Sequence, residues 1–139
     1  MSAVLDANVL VKLVIEEPNS KDVRKIVKEL SMKAPPYTVD IALSEALNAI
    51  WKHVTVHKDL SYNEAVKSEK DLKKIYEHLT HVPAEEIGME ALRYALDKNI
   101  TVYDSLYVAL ARSRGVPLVT CDSQLKEKVK DDVWIIFIG

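Results

Sequence analysis

The sequence predicts an α/β fold in which helices cover both faces of a mostly parallel sheet. Its candidate strands are short, uninterrupted apolar runs rather than alternating ones, a pattern typical of strands buried on both faces. Helical segments separate these runs along the chain, and this order favours parallel pairing. The length of 139 residues, without a repeat, linker or low-complexity tract, predicts a single domain over residues 1–139.

The predicted strands are all short. The clearest are "SAVLD", "THV", "PLVT" and "WIIFI", which span residues 2–6, 80–82, 117–120 and 134–138. The stretch "APPYTV", residues 34–39, contains two prolines that argue against a central strand, so it is predicted to be an extended connector. The stretch "ITVY", residues 100–103, is predicted to be a short strand or an extended segment.

Seven segments are predicted to be helical from the spacing of their apolar residues. They are residues 8–17, 19–30, 40–54, 62–79, 84–99, 105–115 and 123–130. Proline and glycine support several boundaries, because Pro18 follows the first helix, Pro83 precedes the fifth and Gly115 ends the sixth. The sixth helix is almost wholly apolar, which fits a position against the sheet.

The composition argues against several classes of function. Only three glycines occur, too few for a P-loop or a dinucleotide-binding turn, so classical ATP, GTP and NAD sites are not expected. The formal net charge of −2 gives no overall attraction to nucleic acid or to anionic membranes. The single Cys121 cannot form an internal disulfide, which fits a reducing compartment. With no membrane-length apolar run and no signal-peptide pattern, the protein is predicted to be cytoplasmic.

Three aspartates follow apolar extended runs at points where a helix begins. Asp6 follows "SAVL", Asp104 follows "ITVY", and Asp122 follows "PLVTC". Ligands of open α/β sheets bind beyond the carboxyl ends of the strands, so neighbouring parallel strands would bring these carboxylates together. Aspartate is also a preferred helix N-cap, and capping alone remains an alternative for any one of them.

A fourth acid, Glu45, lies within the predicted helix 40–54. It shares a polar stripe with Asn48 and Lys52, opposite the apolar side of the helix. This periodicity favours a solvated face, although an acid that faces a cleft would show the same pattern.

Four converging carboxylates would require compensation. Two unit charges 4 Å apart repel by about 4 kcal/mol at an effective dielectric constant near 20. Either some of the groups protonate or cations bind among them. An all-oxygen set without His or Cys suits Mg²⁺ or Mn²⁺, and such ions would in turn attract a polyanionic substrate.

With these acids in place, the chain resembles the PIN-domain nucleases, and within them the VapC-type toxins of toxin–antitoxin pairs. The resemblance begins at "VLDANVLVKL", continues at "DIALSEALNAIWK", and is sharpest in "VYDSLYVALARSRGVPLVTCDSQL". It covers nearly the whole chain and implies a three-layer α/β/α sandwich. It also implies a Mg²⁺- or Mn²⁺-dependent endoribonuclease acting on single-stranded or structured RNA, commonly a homodimer and inhibited by an antitoxin.

The resemblance also implies roles for individual residues. It makes Asp6, Glu45, Asp104 and Asp122 the acidic catalytic and metal-binding site. Asp6 and Asp104 are the expected direct metal ligands, Asp122 a ligand or a holder of metal-bound water, and Glu45 a ligand or a general base. Asn8 and Thr120 would orient the carboxylates or water.

Other charged and polar residues give weaker signals. Arg112 and Lys126, in the last two helices, are the candidates for steering RNA phosphates. His53 and His57 are spaced like a zinc pair but have no evident third ligand, so a solvated helix face is predicted.

Two other functions remain open from the sequence. One is an acid-cluster phosphatase or receiver domain, although the chain ends at "WIIFIG" without the lysine that a receiver places after its last strand. The other is a catalytically idle PIN fold that binds RNA or protein.

Overall fold

The fold is built on one parallel sheet. In this computed structural model, which describes residues 2–139, five strands pair in the order β3-β2-β1-β4-β5, every pair parallel. The strands are β1 (Val4–Leu5), β2 (Tyr37–Val39), β3 (Thr80–Val82), β4 (Leu118–Thr120) and β5 (Ile135–Phe137). The predicted parallel α/β architecture is confirmed.

In the described part of the chain, seven helices connect the strands and cover the sheet. They are α1 (Ala7–Val14), α2 (Ser20–Ser31), α3 (Ala42–Thr55), α4 (Tyr62–His78), α5 (Ala84–Lys98), α6 (Val102–Arg114) and α7 (Ser123–Val129). Crossovers between parallel strands are right-handed, so the connections from β1 through β3 lie on one face and the later ones on the other. Accordingly α1 packs against α2, α3 and α4, whereas α5 packs against α6. Within residues 2–139, no helix is both long enough and apolar enough to cross a bilayer.

The core lies on both sides of the central strands. Every residue of β1 and β4 is buried, which explains why these strands have continuous rather than alternating apolar sequences. Helix α6 is buried along residues 105–111, and the Ser105 hydroxyl donates a 2.6 Å hydrogen bond to the carbonyl of Ala91. This burial accounts for the nearly all-apolar sequence of α6.

The prediction that residues 34–39 form only a connector was wrong. Tyr37–Val39 form β2, an interior strand between β1 and β3. The two prolines lie just before the ladder, where their missing N–H groups are not needed: the Tyr37 N–H donates to Ala3, and Pro36 contributes only its carbonyl, to Thr80.

The prediction of an extended segment at residues 100–103 was also wrong in part. Val102 and Tyr103 already belong to α6, and the N-cap is Thr101, whose hydroxyl accepts a 3.1 Å bond from the Asp104 N–H. Asp104 is therefore the third residue of the helix rather than the residue that ends a strand.

His53 is not on a solvated face as the sequence predicted. It lies half-buried near the end of α3, with Nε2 2.6 Å from Glu17 Oε2 and Nδ1 2.8 Å from Asp59 Oδ1. Both ring nitrogens donate only in the imidazolium form. Burial alone would lower the pKa of His53, but the hydrogen bonds and charges of Asp59 and Glu17 outweigh it and raise the pKa above its usual value. The side chain thus ties the α1–α2 and α3–α4 connections to α3.

His53→Gln is expected to destabilise the protein in a pH-dependent way. Because the pKa is raised in the folded state, the ionic contribution is complete below the unfolded pKa and is lost as the pH rises through the folded one. We expect the variant to be less stable than the wild type by about 1 kcal/mol at pH 6, and this difference should shrink as the pH rises through the raised pKa of His53. Denaturant unfolding at a series of pH values from 6 upward measures the difference in unfolding free energy between the variant and the wild type. The same substitution at the exposed His78, His78→Gln, is the control. A difference that does not change with pH would contradict an ionic contribution from His53.

Candidate active site

The first candidate site residue lies where the strand connections diverge. The chain leaves β1 toward β2 and leaves β4 toward β5, so the boundary between β1 and β4 is the topological switch point of the sheet. Asp6 directly follows β1 and is only 7% exposed. Its Oδ1 accepts the N–H of Val9 at 2.9 Å, and its Oδ2 accepts the hydroxyl of Thr120, the last residue of β4, at 3.3 Å.

Among residues 2–139, no cationic side chain forms a salt bridge with the buried Asp6 carboxylate. Its pKa is raised to about 7, chiefly by burial and to a lesser extent by the negative charges of Asp104 and Glu45, against the opposing hydrogen bonds from Val9 and Thr120. An acid that resists ionisation in this way is ready to interact with a cation.

Glu45 faces the same region from α3. It belongs to the first turn of that helix, and its Oε1 accepts a 2.6 Å hydrogen bond from the hydroxyl of Tyr107 on α6. This bond joins the two helices that flank Asp6. Periodicity favoured a solvated face for Glu45. In the structure this side chain is only partly exposed, and its carboxylate contacts the hydroxyl of Tyr107.

Asp104 approaches from the first turn of α6 and is partly buried. Burial raises its pKa, and the negative charge of Asp122 adds to the increase. The charges of Asp104 and Glu45 raise the pKa of Asp6, and the charge of Asp122 raises the pKa of Asp104. The four acids are therefore electrostatically coupled.

Asp122 lies on the exposed rim of this region. It caps α7, with Oδ1 accepting the N–H groups of Gln124 at 2.9 Å and Leu125 at 3.1 Å. Its own N–H donates to the Thr120 hydroxyl at 3.1 Å. Thr120 therefore connects the backbone of Asp122 to the carboxylate of Asp6. Asp6 and Asp122 are both helix N-caps and both lie at the carboxyl edge of the sheet, because helices α1 and α7 begin at that edge. The capping role predicted as an alternative is therefore compatible with a place in the site.

The acids open onto a cleft of about 240 Å³. Its walls are Asp6, Ala7, Asn8, Glu45, Asn48, Ala49, Lys52, Asp104 and Tyr107. Asp122 is not part of this wall. Neither candidate phosphate-steering residue lines this cleft. The Arg112 guanidinium is 5.0 Å from the Tyr94 ring centroid, and Lys126 Nζ is 4.6 Å from the Phe137 ring centroid.

Comparison with known proteins identifies the family. A PIN domain family model matches residues 3–131. The chain belongs to the PIN domain family. Ribonuclease VapC3 of Pyrobaculum aerophilum is 34% identical to this PIN domain over 128 residues, which cover 92% of the chain and 95% of the relative. Ribonuclease VapC12 of Mycobacterium tuberculosis is 30% identical over 124 residues, or 89% of each protein. These relatives group this PIN domain with the VapC proteins.

Solved structures share the fold. The crystal structure of PAE2754 from Pyrobaculum aerophilum has a TM-score of 0.71 and 26% identity, covering 99% of this PIN domain and 91% of that chain. VapBC2 from Rickettsia felis, bound to a DNA fragment from its promoter, gives a TM-score of 0.70 at 16% identity with full coverage of both chains. The PIN-like α/β/α sandwich expected from the sequence is confirmed.

Three polar residues that line the cleft were not predicted as site residues from the sequence. Asn48 and Lys52 share the polar stripe of Glu45, at three and seven residues along α3, so the stripe carried the signal. Tyr107 gave no such signal, because a tyrosine in an apolar helix is ordinarily explained by packing. Only the three-dimensional structure shows that its hydroxyl faces Glu45.

The donor chemistry of the cleft of this PIN domain fits a hard divalent cation. Asp6, Glu45 and Asp104 offer only carboxylate oxygens, the ligands preferred by Mg²⁺ and Mn²⁺. Within residues 2–139, no three His, Cys, Asp or Glu side chains are grouped tightly enough to form a ready-made metal site. A cation would therefore have to draw these carboxylates together, and the raised pKa of Asp6 favours that because the ion would supply the missing positive charge.

Proposed function

We propose that this PIN domain is a Mg²⁺- or Mn²⁺-dependent endoribonuclease. The observation that carries the proposal is the convergence of Asp6, Glu45 and Asp104 on one cleft at the sheet's switch point, with Asp122 beside them. Two VapC relatives that are named ribonucleases and match about nine-tenths of the chain support the reaction class.

The four acids have distinct proposed roles. Asp6 and Asp104 bind the cation directly, and Asp122 either binds it or holds a water beside it. Glu45 binds the cation or accepts the proton of the attacking water. Asn8 lines the cleft and orients water, and Thr120 holds the Asp6 carboxylate through its hydroxyl. The bound cation supplies Lewis acidity, which eases the ionisation of water and offsets charge on the phosphate.

The charge distribution explains how an acidic protein would bind RNA. The cleft is negative without a cation, and its Lys52 is a single positive group among three acids. Bound divalent ions reverse this local charge and attract the phosphodiester backbone. The expected products carry 5′-phosphate and 3′-hydroxyl ends.

Cleavage of labelled single-stranded RNA tests this function. Pure protein is expected to cut the RNA internally with Mg²⁺ or Mn²⁺ and not with EDTA. Asp122→Asn should lower the rate while retaining the cap of α7, since asparagine is an equally good N-cap. Cleavage that survives EDTA would contradict the proposal. Binding of RNA without cleavage would favour the idle scaffold, and hydrolysis only of small phosphate monoesters would favour the phosphatase.

We also propose that the protein is the toxin of a toxin–antitoxin pair, acts in the cytoplasm and forms a homodimer. Structural neighbours include a toxin–antitoxin complex from Klebsiella pneumoniae and DNA-bound VapBC from Salmonella typhimurium, which support an antitoxin partner by likeness of fold. Co-expression with the product of an adjacent short gene should suppress the nuclease and yield a complex on size-exclusion chromatography. A neighbouring product that neither binds nor inhibits would contradict the pairing.

A further inference from the structure

One hydrogen bond in the cleft links residues 62 positions apart. The Tyr107 hydroxyl on α6 donates to Glu45 Oε1 on α3 at 2.6 Å, and both side chains line the cleft. Tyr107 is only 3% exposed, so its ring is fixed in the core of the domain. The bond therefore extends from a rigid donor to a flexible acceptor.

The chemistry of this bond is one-directional. A tyrosine hydroxyl keeps its proton at neutral pH, so in this 2.6 Å bond Tyr107 donates and the Glu45 carboxylate accepts. This hydrogen bond restricts the three side-chain torsions of Glu45. It also uses one of the two lone pairs of Oε1, so Oε2 is the better donor oxygen for a cation or a water.

We propose that Tyr107 is a positioning residue that makes Glu45 a one-oxygen ligand and thereby favours Mg²⁺ or Mn²⁺ over Ca²⁺. The inference rests on the proposed metal-dependent function. Mg²⁺ requires near-octahedral geometry with a single oxygen from each ligand, whereas Ca²⁺ accepts more oxygens and often takes both from one carboxylate. The tether orients the Glu45 carboxylate and uses part of Oε1, so coordination through both oxygens is less favourable and the tether disfavours the larger ion.

The sequence offers a matched control for this tether. Tyr94 is likewise buried, at 7% exposure, and its hydroxyl donates a 2.7 Å bond to Asp132 Oδ2. Tyr94 lines a different depression from the acidic cleft. Tyr94→Phe thus removes the same kind of bond from the same fold without touching the site.

Isothermal titration with Mn²⁺ and Ca²⁺ tests the proposal. Tyr107→Phe is expected to weaken Mn²⁺ binding about tenfold, as is usual for loss of a hydrogen bond to a metal ligand, with a smaller loss or a gain for Ca²⁺. Tyr94→Phe should change neither affinity. In the Glu45→Gln background, Tyr107→Phe should have no further effect on Mn²⁺ affinity, because the tether acts only through the carboxylate.

Two further arms keep the outcome decisive. Glu45→Asp has a side chain too short to keep the hydrogen bond to Tyr107. It should show the same reduction in the preference for Mn²⁺ over Ca²⁺, and it provides the test if Tyr107→Phe does not fold. Equal losses of Mn²⁺ and Ca²⁺ affinity in these variants would contradict the proposed role of Tyr107. Fully additive effects of Tyr107→Phe and Glu45→Gln on Mn²⁺ affinity would contradict it as well. Failure of the wild-type protein to bind Mn²⁺ would instead contradict the proposed metal site, and Mn²⁺ binding without RNA cleavage would contradict only the nuclease.

Discussion

Asp104→Asn is expected to lower the rate of RNA cleavage about a thousandfold, because each 1.36 kcal/mol of lost transition-state stabilisation costs tenfold and a metal ligand contributes several. Asparagine has nearly the same shape as aspartate but cannot ionise. Position 104 is in the first turn of α6, and its backbone N–H still bonds to the Thr101 hydroxyl, so the fold should be preserved. Single-turnover cleavage of labelled RNA in Mn²⁺, with circular dichroism as a check on folding, measures the effect.

The matched control is Asp131→Asn, the same substitution at an exposed aspartate beyond the end of α7. It changes the net charge equally but should leave the cleavage rate within about twofold. If the two variants lost activity to the same extent, the loss would reflect overall charge, and Asp104 would have no special place in the reaction.

Asp6→Asn is expected to make the metal-free protein more stable while removing its metal binding. The folded pKa of Asp6 is about 7 against a usual value of 3.8, so folding favours the protonated acid. The wild-type protein therefore loses stability as the pH rises from about 4 to about 7, and above that range the full cost remains. Asparagine mimics the neutral acid and avoids this cost. The rise of the pKa from 3.8 to about 7 corresponds to at most roughly 4 kcal/mol of unfolding free energy.

Urea unfolding in EDTA at pH 5 and pH 8 measures this difference. The variant should exceed the wild type clearly at pH 8 and less at pH 5, and Mn²⁺ should raise the stability of the wild type only. Asp122→Asn provides the control, since it also replaces an aspartate that caps a helix but at an exposed position. An Asp6→Asn protein less stable than wild type at pH 8 would mean that Asp6 is ionised at little cost, and that a cation is not needed to compensate its charge.

The strands that carry the site were predictable because burial on both faces leaves a continuous apolar sequence. β1 and β4 have this pattern. β1 ends one residue before Asp6 and β4 ends two residues before Asp122, so both acids could be assigned to one sheet edge. The parallel order then follows from the intervening helices. What the sequence could not provide was strand order, and the adjacency of β1 and β4 is what brings Thr120 to Asp6.

The remaining errors share a physical cause. Local rules correctly recognised the prolines at residues 35 and 36 but could not show that the ladder begins one residue later. The Tyr107–Glu45 and His53–Glu17 contacts join residues far apart in sequence, and neither partner differs locally from a packed tyrosine or a surface histidine. Contacts of this kind depend on tertiary packing, which spacing along one helix does not encode.

The most direct test of the acidic cleft is a crystal structure of the protein soaked in Mn²⁺, with data collected at the manganese absorption edge. The anomalous map should show at least one ion in the cleft between Asp6 and Asp104, with Glu45 contributing one oxygen and its bond to Tyr107 retained. An empty cleft at a Mn²⁺ concentration that supports RNA cleavage, or ions bound only at other surfaces, would contradict the account.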